Sequence, residues 1–436
     1  MLLSAVFGFF LLLEAVVLSG NLLDPSKWPN DQQVIGPPRK ALSQGPFRNR
    51  FINDQQDSQN AAGFVAFGDS YSAGIGTGVD GVEDECRLGS HAHPVLIFTD
   101  LAKSQGANAA TFQFLSCTGS TTENILSGGE RSQIDNFNTS INADFAILSI
   151  GGNDLGFFRV MNACIFRFYS FYSGTCEAAL QDASDRIECP DFEQRLEMVI
   201  MEILDKVHWE KRPWFVITVT GYARFFSVET DECDNCTLGV WWQGPKLKRD
   251  VRQRMNNMVM AVNDKLKRSI DAVNSRFTTS KVIFVDYDAR FDGHRFCEPT
   301  VTEPAYNRTE TWFFLVGGKD NNPNVTDPTP APNGTSIRTD GARSRTLSPL
   351  STLVDPDTCL SPAEGSGDWG LMALCYMARA KRDDPSLRFA HEDVMIQNSM
   401  WYVPTYYGKT FHPRSLGHEA IRDEVYRVWS DLAISL

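Results

Sequence analysis

Five short runs of the chain are apolar at nearly every position: FVAF at 64–67, TFQFL at 111–115, FAILSI at 145–150, WFVITVT at 214–220 and KVIFVDY at 281–287. A strand that alternates apolar and polar residues suits a sheet with one wet face, whereas a strand apolar on both faces needs cover on both. The five runs therefore predict a central parallel sheet of about five strands between layers of helix. The connections agree. Between the fourth and fifth runs, VRQRMNNMVMAVNDKLKRSIDAV places Val251, Met255, Met258, Val262, Leu266, Ile270 and Val273 at three- and four-residue steps, the period of an amphipathic crossover helix. Its methionines are expected to pack in the core and not to face a ligand. A second helical period runs through Ala420, Ile421, Val425, Val428 and Leu432, with Ser415 placed to cap it. The expected fold class is α/β, one three-layer α/β/α domain with long loop insertions.

Three stretches break this rhythm. Residues 1–20 are apolar and give way to NLLDPSKWPNDQQ, which reads as a signal peptide cut near Ser19 or Gly20. The missing basic n-region and Glu14 keep an uncleaved anchor helix as the alternative, and both readings put the body outside the cytosol. Residues 21–60 are rich in Pro, Gln, Asn and Asp without an apolar period, as in an N-terminal arm or pro-segment, with Arg39-Lys40 as a processing site. The folded domain is expected over 61–436. Within it, residues 317–350 hold almost no large apolar side chain, which predicts a disordered surface insert.

Composition narrows the class. A net charge of −13 with no Lys/Arg block argues against a nucleic-acid partner, which requires a concentrated basic face. Ten cysteines, all downstream of the apolar opening, fit an oxidising compartment with up to five bridges whose connectivity is not readable from spacing. Cys233 and Cys236 form a C-x-x-C, yet no second such pair and no His-x3–5-His follows, so no metal is expected. Asn-X-Ser/Thr acceptors at Asn138, Asn235, Asn307, Asn324 and Asn333 predict an exposed, glycosylated surface, densest between 300 and 335.

In open parallel sheets functional groups collect beyond the carboxyl ends of the strands. Gly68-Asp69-Ser70 follows the first run, Ser116-Cys117-Thr118-Gly119 the second and Gly151-Gly152-Asn153-Asp154 the third. Taken alone, Gly-Asp-Ser is a turn and a helix cap. The GIGTG at 74–78 lacks the third glycine and the position of a dinucleotide-binding loop, and Ser72 stands where a G-x-S-x-G elbow needs glycine. Acyl transfer, by contrast, needs a nucleophile, a base and donors aimed at a developing oxyanion. Ser70, His412 of FHPRSLGH, the Gly119 N–H and the Asn153 amide meet that need together. Of the other histidines, His418 reads as a helix-start residue, His91 and His93 as structural despite their H-x-H spacing, and His294 as lining the site mouth. His208 and His391 show nothing specific. Trp401, Tyr402, Tyr406 and Tyr407 are expected to pack the loop before the base.

The order GDSYSAG, a second-loop glycine, GGND and then HP with GH resembles the SGNH, or GDSL-type, hydrolase superfamily. The Cys86 segment, Gln133, GGNDLGF and FDGHRFC at 291–297 are similar to its secreted bacterial esterase and lipase branch, and the matches span 64–430 apart from the insert near 300–350. The resemblance implies a flavodoxin-like α/β/α fold and a secreted, extracellular ester hydrolase that needs no cofactor. Ser70 would be the nucleophile, His412 the base, and Ser70 N–H, Gly119 N–H and Asn153 the oxyanion hole, with Asp69 and Asp154 in support. It further implies a monomer acting on a lipid or acylated-carbohydrate ester, in transient contact with a lipid surface. Many members carry an Asp three residues before the His, where this chain has Lys409. The secreted branch uses a main-chain carbonyl there, so a Ser70–His412 dyad is expected, with the Lys409 carbonyl accepting from His412 and the Lys409 side chain in solvent. The missing Asp also keeps a non-catalytic binding protein on the same fold as the rival reading. All ten cysteines are expected to be oxidised, with Cys86 bridged to Cys117. Activity is expected to fall below about pH 6.5, as an ordinary imidazole protonates.

Overall fold

A computed structural model describes residues 63–79, 83–105, 110–129, 131–166, 175–238, 245–306, 308–315, 318–325, 355–361, 375, 378–379, 382 and 405–435. Every described residue lies within Pro37–Leu436. The expected signal peptide, the N-terminal arm and most of the 317–350 insert lie outside the described residues.

Each of the five apolar runs is a strand: β1 (Gly63–Gly68), β2 (Thr111–Phe114), β3 (Phe145–Ser149), β4 (Val216–Thr220) and β5 (Val282–Val285). They form one parallel sheet in the order β2-β1-β3-β4-β5. The helices that matter here are α1 (Ser70–Ala73), α2 (His93–Gln105), α3 (Phe157–Met161), α4 (Cys176–Glu188), α5 (Pro190–Lys206), α6 (Arg249–Asn274) and α7 (Ser415–Ser435). Period-two alternation divides each strand between two cores. Phe64, Ala66, Phe145 and Ile147 face Ile97 and Leu101 of α2 and Val425, Tyr426 and Trp429 of α7. Val65, Phe67, Ala146 and Leu148 face the other way, into a larger core that takes in Leu180 of α4, Leu196 and Ile200 of α5, and Leu266 and Ile270 of α6. Both faces of β1, β3 and β4 are dry, which explains why those runs are continuous.

The chain reverses its direction of growth at β1, adding β2 on one side and β3 on the other. Such a switch point opens a crevice beyond the carboxyl ends of the two diverging strands. β1 and β3 stay in register to their last residues, Gly68 opposite Ser149, and the Asp69 N–H donates to the Ser149 carbonyl at 2.9 Å. Gly68 has φ +139°, and a Cβ there would lie 2.3 Å from that carbonyl oxygen, so only glycine makes this turn.

Two expectations change. Ser415 is the first residue of α7 and does not cap it. Asp320 does, accepting from the Ser415 N–H at 3.1 Å and the Ser415 hydroxyl at 2.6 Å, while Asn321 takes the Leu416 N–H at 3.1 Å. A carboxylate reaching in from another loop satisfies the orphan N–H groups better than the short local serine. Residues 318–325, the described start of the insert, therefore dock on α7. The cysteines form Cys86–Cys117 as expected, with Cys164–Cys176, Cys233–Cys297 and Cys359–Cys375. Cys189 and Cys236 are free thiols, against the expectation that all ten are paired. Cys297 has taken the sulfur of Cys233, and Cys189 sits at the α4–α5 junction.

Alkylation of the denatured, unreduced protein is expected to tag Cys189 and Cys236 and to spare Cys86 and Cys117, and peptide mapping checks it. A Cys86→Ser/Cys117→Ser variant is expected to lose about 3–4 kcal/mol in urea unfolding, the chain-entropy scale for a separation of 31 residues. A tagged Cys86 or Cys117 in the parent protein contradicts the bridge.

Candidate active site

Where β1 ends, Asp69 caps α1, its Oδ1 accepting from the Tyr71 N–H at 2.9 Å, and Gly74 closes the helix with φ +72°. Ser70 is thus the first residue of α1, and a first-turn N–H has no acceptor within its helix. The sequence alternatives for Ser70, cap or nucleophile, are divided between neighbours: Asp69 caps and Ser70 points to His412. Ser70 Oγ lies 2.6 Å from His412 Nε2, across 342 residues of sequence.

The His412 Nδ1 lies 3.1 Å from the Thr410 carbonyl. A carbonyl only accepts, so this contact places a proton on Nδ1 and leaves Nε2 as the lone-pair nitrogen facing Ser70. The expected partner was the Lys409 carbonyl. That oxygen accepts the His412 main-chain N–H at 2.9 Å and, together with the Thr410 carbonyl, favours the charged ring, so two successive main-chain carbonyls face the imidazole. The tight turn is set by Phe411, at φ +65°, whose N–H donates to Phe314 O at 2.8 Å while Phe314 N–H donates to His412 O at 2.9 Å. Tyr71, beside the nucleophile, donates its hydroxyl to Phe411 O at 2.8 Å and so ties the base loop to α1.

The Lys409 side chain is not in solvent. It is buried, with Nζ 4.5 Å from the centroid of the Phe314 ring and its stem in the space left by Gly76, where a Cβ would lie 2.6 Å from Lys409 Cδ. An ammonium over an aromatic face retains part of its solvation energy, which lets the stem bury apolar area.

Burial lowers the His412 pKa to about 4, opposed by the Thr410 and Lys409 carbonyls and reinforced by the Arg87 charge. The imidazole is therefore neutral, the form a base needs, well below the pH expected of an exposed histidine.

The third loop brings Asn153 to the same cleft as Ser70 and His412. Its Nδ2 donates to the Ser120 carbonyl at 2.9 Å, which leaves the second amide hydrogen for a ligand. Gly119, at φ +91°, is buried beside Ser120 but is not among the residues that line the cleft. Gln133 clamps the turn before Ser70, accepting from Gly68 N–H and donating to Gly68 O, both at 2.8 Å, and reaching Ser120 Oγ at 3.1 Å. Asp154 accepts the Thr122 N–H at 3.1 Å and its hydroxyl at 2.5 Å, so it organises the turn after the second loop and does not touch His412. Burial pushes its pKa up to about 6.

One residue at the site was missed. Tyr222 follows β4, donates its hydroxyl to Asp69 Oδ2 at 2.7 Å and receives the Gly152 N–H at 3.2 Å. Its position at the carboxyl end of a strand was the only signal. Asp69 is pushed up to about 7 by burial, against the hydrogen bonds from Tyr222 and the Tyr71 N–H.

The remaining histidines stand apart. His418 is buried inside α7, where its Nδ1 accepts the His93 N–H at 3.2 Å, and His91 pairs with Glu419 at 2.9 Å. His294 does not line the cleft as expected. It stacks on Trp312 at 3.6 Å and its Nδ1 donates to Glu310 O at 2.7 Å. Trp401 and Tyr402, and the side chains of Tyr406 and Tyr407, lie outside what is described. Among the described residues no three His, Cys, Asp or Glu side chains are placed to hold a metal ion.

The cleft opens to solvent, with Asp69, Ser70, Asn153 and His412 at its polar end. Its other walls are Phe157, Val160 and Met161 of α3, Met255, Met258, Val259 and Val262 of α6, and Leu155 and Phe225. Met255 belongs to the buried core and Met258 packs against it, as expected, and both also form part of the cleft wall. A crossover helix begins at the carboxyl edge of the sheet, so the early turns of α6 overhang the crevice while Leu266, Ile270 and Val273 reach the core.

A family model described as GDSL-like Lipase/Acylhydrolase matches residues 64–330, more than half of the chain. A protein named Lipase 1, of Streptomyces coelicolor, is 31% identical over 178 residues, 40% of this chain and 58% of the relative. The chain thus spans little more than half the length of that relative. A lipase of Streptomyces rimosus is 27% identical over 239 residues, 54% of this chain and 74% of the relative. Among solved structures, phospholipase A1 from Streptomyces albidoflavus NA297 aligns with 28% identity and a TM-score of 0.41, over 54% of this chain and 84% of that one. An extracellular lipase from Streptomyces rimosus aligns with 24% identity and a TM-score of 0.42, over 56% and 90%.

An imidazole NMR titration is expected to show His412 unprotonated down to about pH 5, since a pKa lowered from 6.5 to about 4 keeps the base form present above that pH and loses it only as pH falls through about 4. A midpoint near 6.5 would mean the ring is solvated. Lys409→Ala is expected to lower stability by about 1–2 kcal/mol through lost cation–π and stem packing, and urea unfolding checks it. An unchanged midpoint contradicts the burial of Lys409.

Proposed function

The chain belongs to the GDSL-like lipase/acylhydrolase family, and from that membership and the Ser70–His412 contact we propose that it is a secreted carboxylic ester hydrolase working through an acyl-enzyme. Ser70 Oγ attacks the ester carbonyl as His412 Nε2 takes its proton. The oxyanion is met by the Ser70 N–H and the remaining amide hydrogen of Asn153, both on residues that line the cleft, and the Gly119 N–H, set back beside Ser120, is the third donor proposed. Collapse expels the alcohol, which His412 protonates, and water repeats the sequence on the acyl group. The imidazolium formed midway is steadied by Nδ1–H donating to the Thr410 carbonyl, so orientation comes from the main chain instead of a carboxylate.

One observation carries this reading, the 2.6 Å approach of a neutral buried imidazole to a buried serine hydroxyl. A binding protein with no chemistry at Ser70 has no use for a desolvated base held against it. Within ester hydrolysis, the apolar walls from α3 and α6 favour a fatty acyl group over the acetyl group of a sugar. A sugar would meet few polar partners beyond the catalytic end.

The apolar opening of the chain and the four disulfides support secretion. Among the described residues no helix is long and apolar enough to cross a membrane. Glycosylation is supported by the exposure of Asn138, Asn235 and Asn324, each within an acceptor tripeptide.

A p-nitrophenyl ester series from acetate to palmitate tests the proposal. The expected result is kcat/KM for octanoate about 10²–10³ above acetate, since each buried methylene is worth up to about 0.8 kcal/mol and the open cleft captures part of it. Ser70→Ala is expected to remove this activity with the fold intact. A folded, active Ser70→Ala enzyme overturns the mechanism, and a preference for acetate overturns the acyl assignment alone.

A further inference from the structure

We infer that Tyr222 is a positioning residue, whose single hydroxyl sets the separation between the nucleophile loop and the oxyanion-donor loop by bridging Gly152 to Asp69. The inference rests on the ester-hydrolase reading. Gly152 immediately precedes Asn153 and Asp69 immediately precedes Ser70, so the bridge joins the neighbours of two groups that must act on one carbonyl.

Three features make the bridge directional. A backbone N–H only donates, so the 3.2 Å contact has Gly152 donating to the phenol oxygen, and the phenol's one hydrogen goes to the ionised Asp69 at 2.7 Å. The phenol is placed from behind by its own main chain. Asn263 of α6, fully buried, accepts the Tyr222 N–H at 2.9 Å and donates to the Tyr222 carbonyl at 2.8 Å. The preceding residue is glycine, where a Cβ would lie 2.8 Å from Asn263 Oδ1, so the clamp needs that position bare. Finally, the ring meets Tyr71 edge-on, 5.0 Å between centroids at 74°, and Tyr71 holds the base loop through Phe411. The hydroxyl thus joins the nucleophile and oxyanion-donor loops, and the ring touches the tyrosine that holds the base loop.

The chemical consequence is twofold. Misplacing a reacting group by about 1 Å costs on the order of 10² in rate, so releasing the Gly152 loop is expected to act on turnover and not on substrate affinity. The bridge also stabilises the ionised form of Asp69, whose buried surroundings hold Tyr71, Tyr222, Tyr287 and Asp154. Removing the hydroxyl takes away a hydrogen bond that lowers the Asp69 pKa, so its ionisation, already raised to about 7, moves further up.

Tyr222→Phe keeps the ring and removes only the bridge. Wild-type turnover of p-nitrophenyl octanoate tests the ester-hydrolase reading, and the ratio of variant to wild type tests this inference. The expected result is kcat lower by about 10- to 10²-fold, KM within about twofold, and the near-neutral ionisation in the pH–rate profile shifted to higher pH. The Asp69→Asn variant is expected to lose that ionisation, and the double variant to fall no further than the worse single, because both changes cut one bridge. A wild-type kcat with an unmoved profile overturns the inference, as does a change confined to KM or an additive double variant. Loss of the fold in Tyr222→Phe overturns it too, since the hydroxyl would then be structural.

Discussion

The pairing of β1 with β3 up to their carboxyl ends is the constraint on which the site depends. Asp69 N–H on Ser149 O is the last rung of that pairing, and from it one chain turns into Ser70 and the other into Asn153. Because β2 lies on the far side of β1, the two loops diverge over a crevice that no helix fills. Gln133 then fixes the Gly68 turn through both its main-chain groups and, through Ser120, the second loop as well. Three loops are located by one sheet edge and one buried glutamine before any catalytic side chain is considered.

The base arrives from the far end of the chain, and it is held differently. The Thr410 carbonyl orients its Nδ1, Phe314 pairs with the turn on both sides, and Tyr71 anchors Phe411. A buried carboxylate in that place would raise the imidazole pKa by opposite charge, whereas a carbonyl orients the ring and leaves burial to pull the pKa down. The result is a base that stays unprotonated in acid, obtained with main-chain atoms that a side-chain substitution at Lys409 leaves in place.

Much of this was legible in the residues. The central strands announce themselves because both faces are dry, and Ser70, Asn153 and His412 stand out because a nucleophile, a neutral donor and a base follow strand ends or precede the final helix in order. What stayed hidden depends on contacts between distant segments. Lys409 reads as a surface residue until Phe314 and Gly76 are brought to it. The Thr410 carbonyl joins the expected Lys409 carbonyl at the ring in a turn where Phe411 takes a positive φ, which no residue type at that position signals. Met255 and Met258 pack with the core as their period predicts, and only the overhang of the early turns of their helix also brings them to the cleft wall. Tyr222 carries no motif at all, since its role comes from Asn263 behind it and Asp69 in front.

The central claim is that Ser70 is made nucleophilic by His412 in this pocket. The most direct measurement is fluorophosphonate labelling of the intact protein at pH 7, with the adduct localised by mass spectrometry, beside a His412→Ala control. The account predicts one covalent adduct, on Ser70, and none on the control in the same time. An adduct on another residue, or equal labelling of Ser70 without His412, would contradict it.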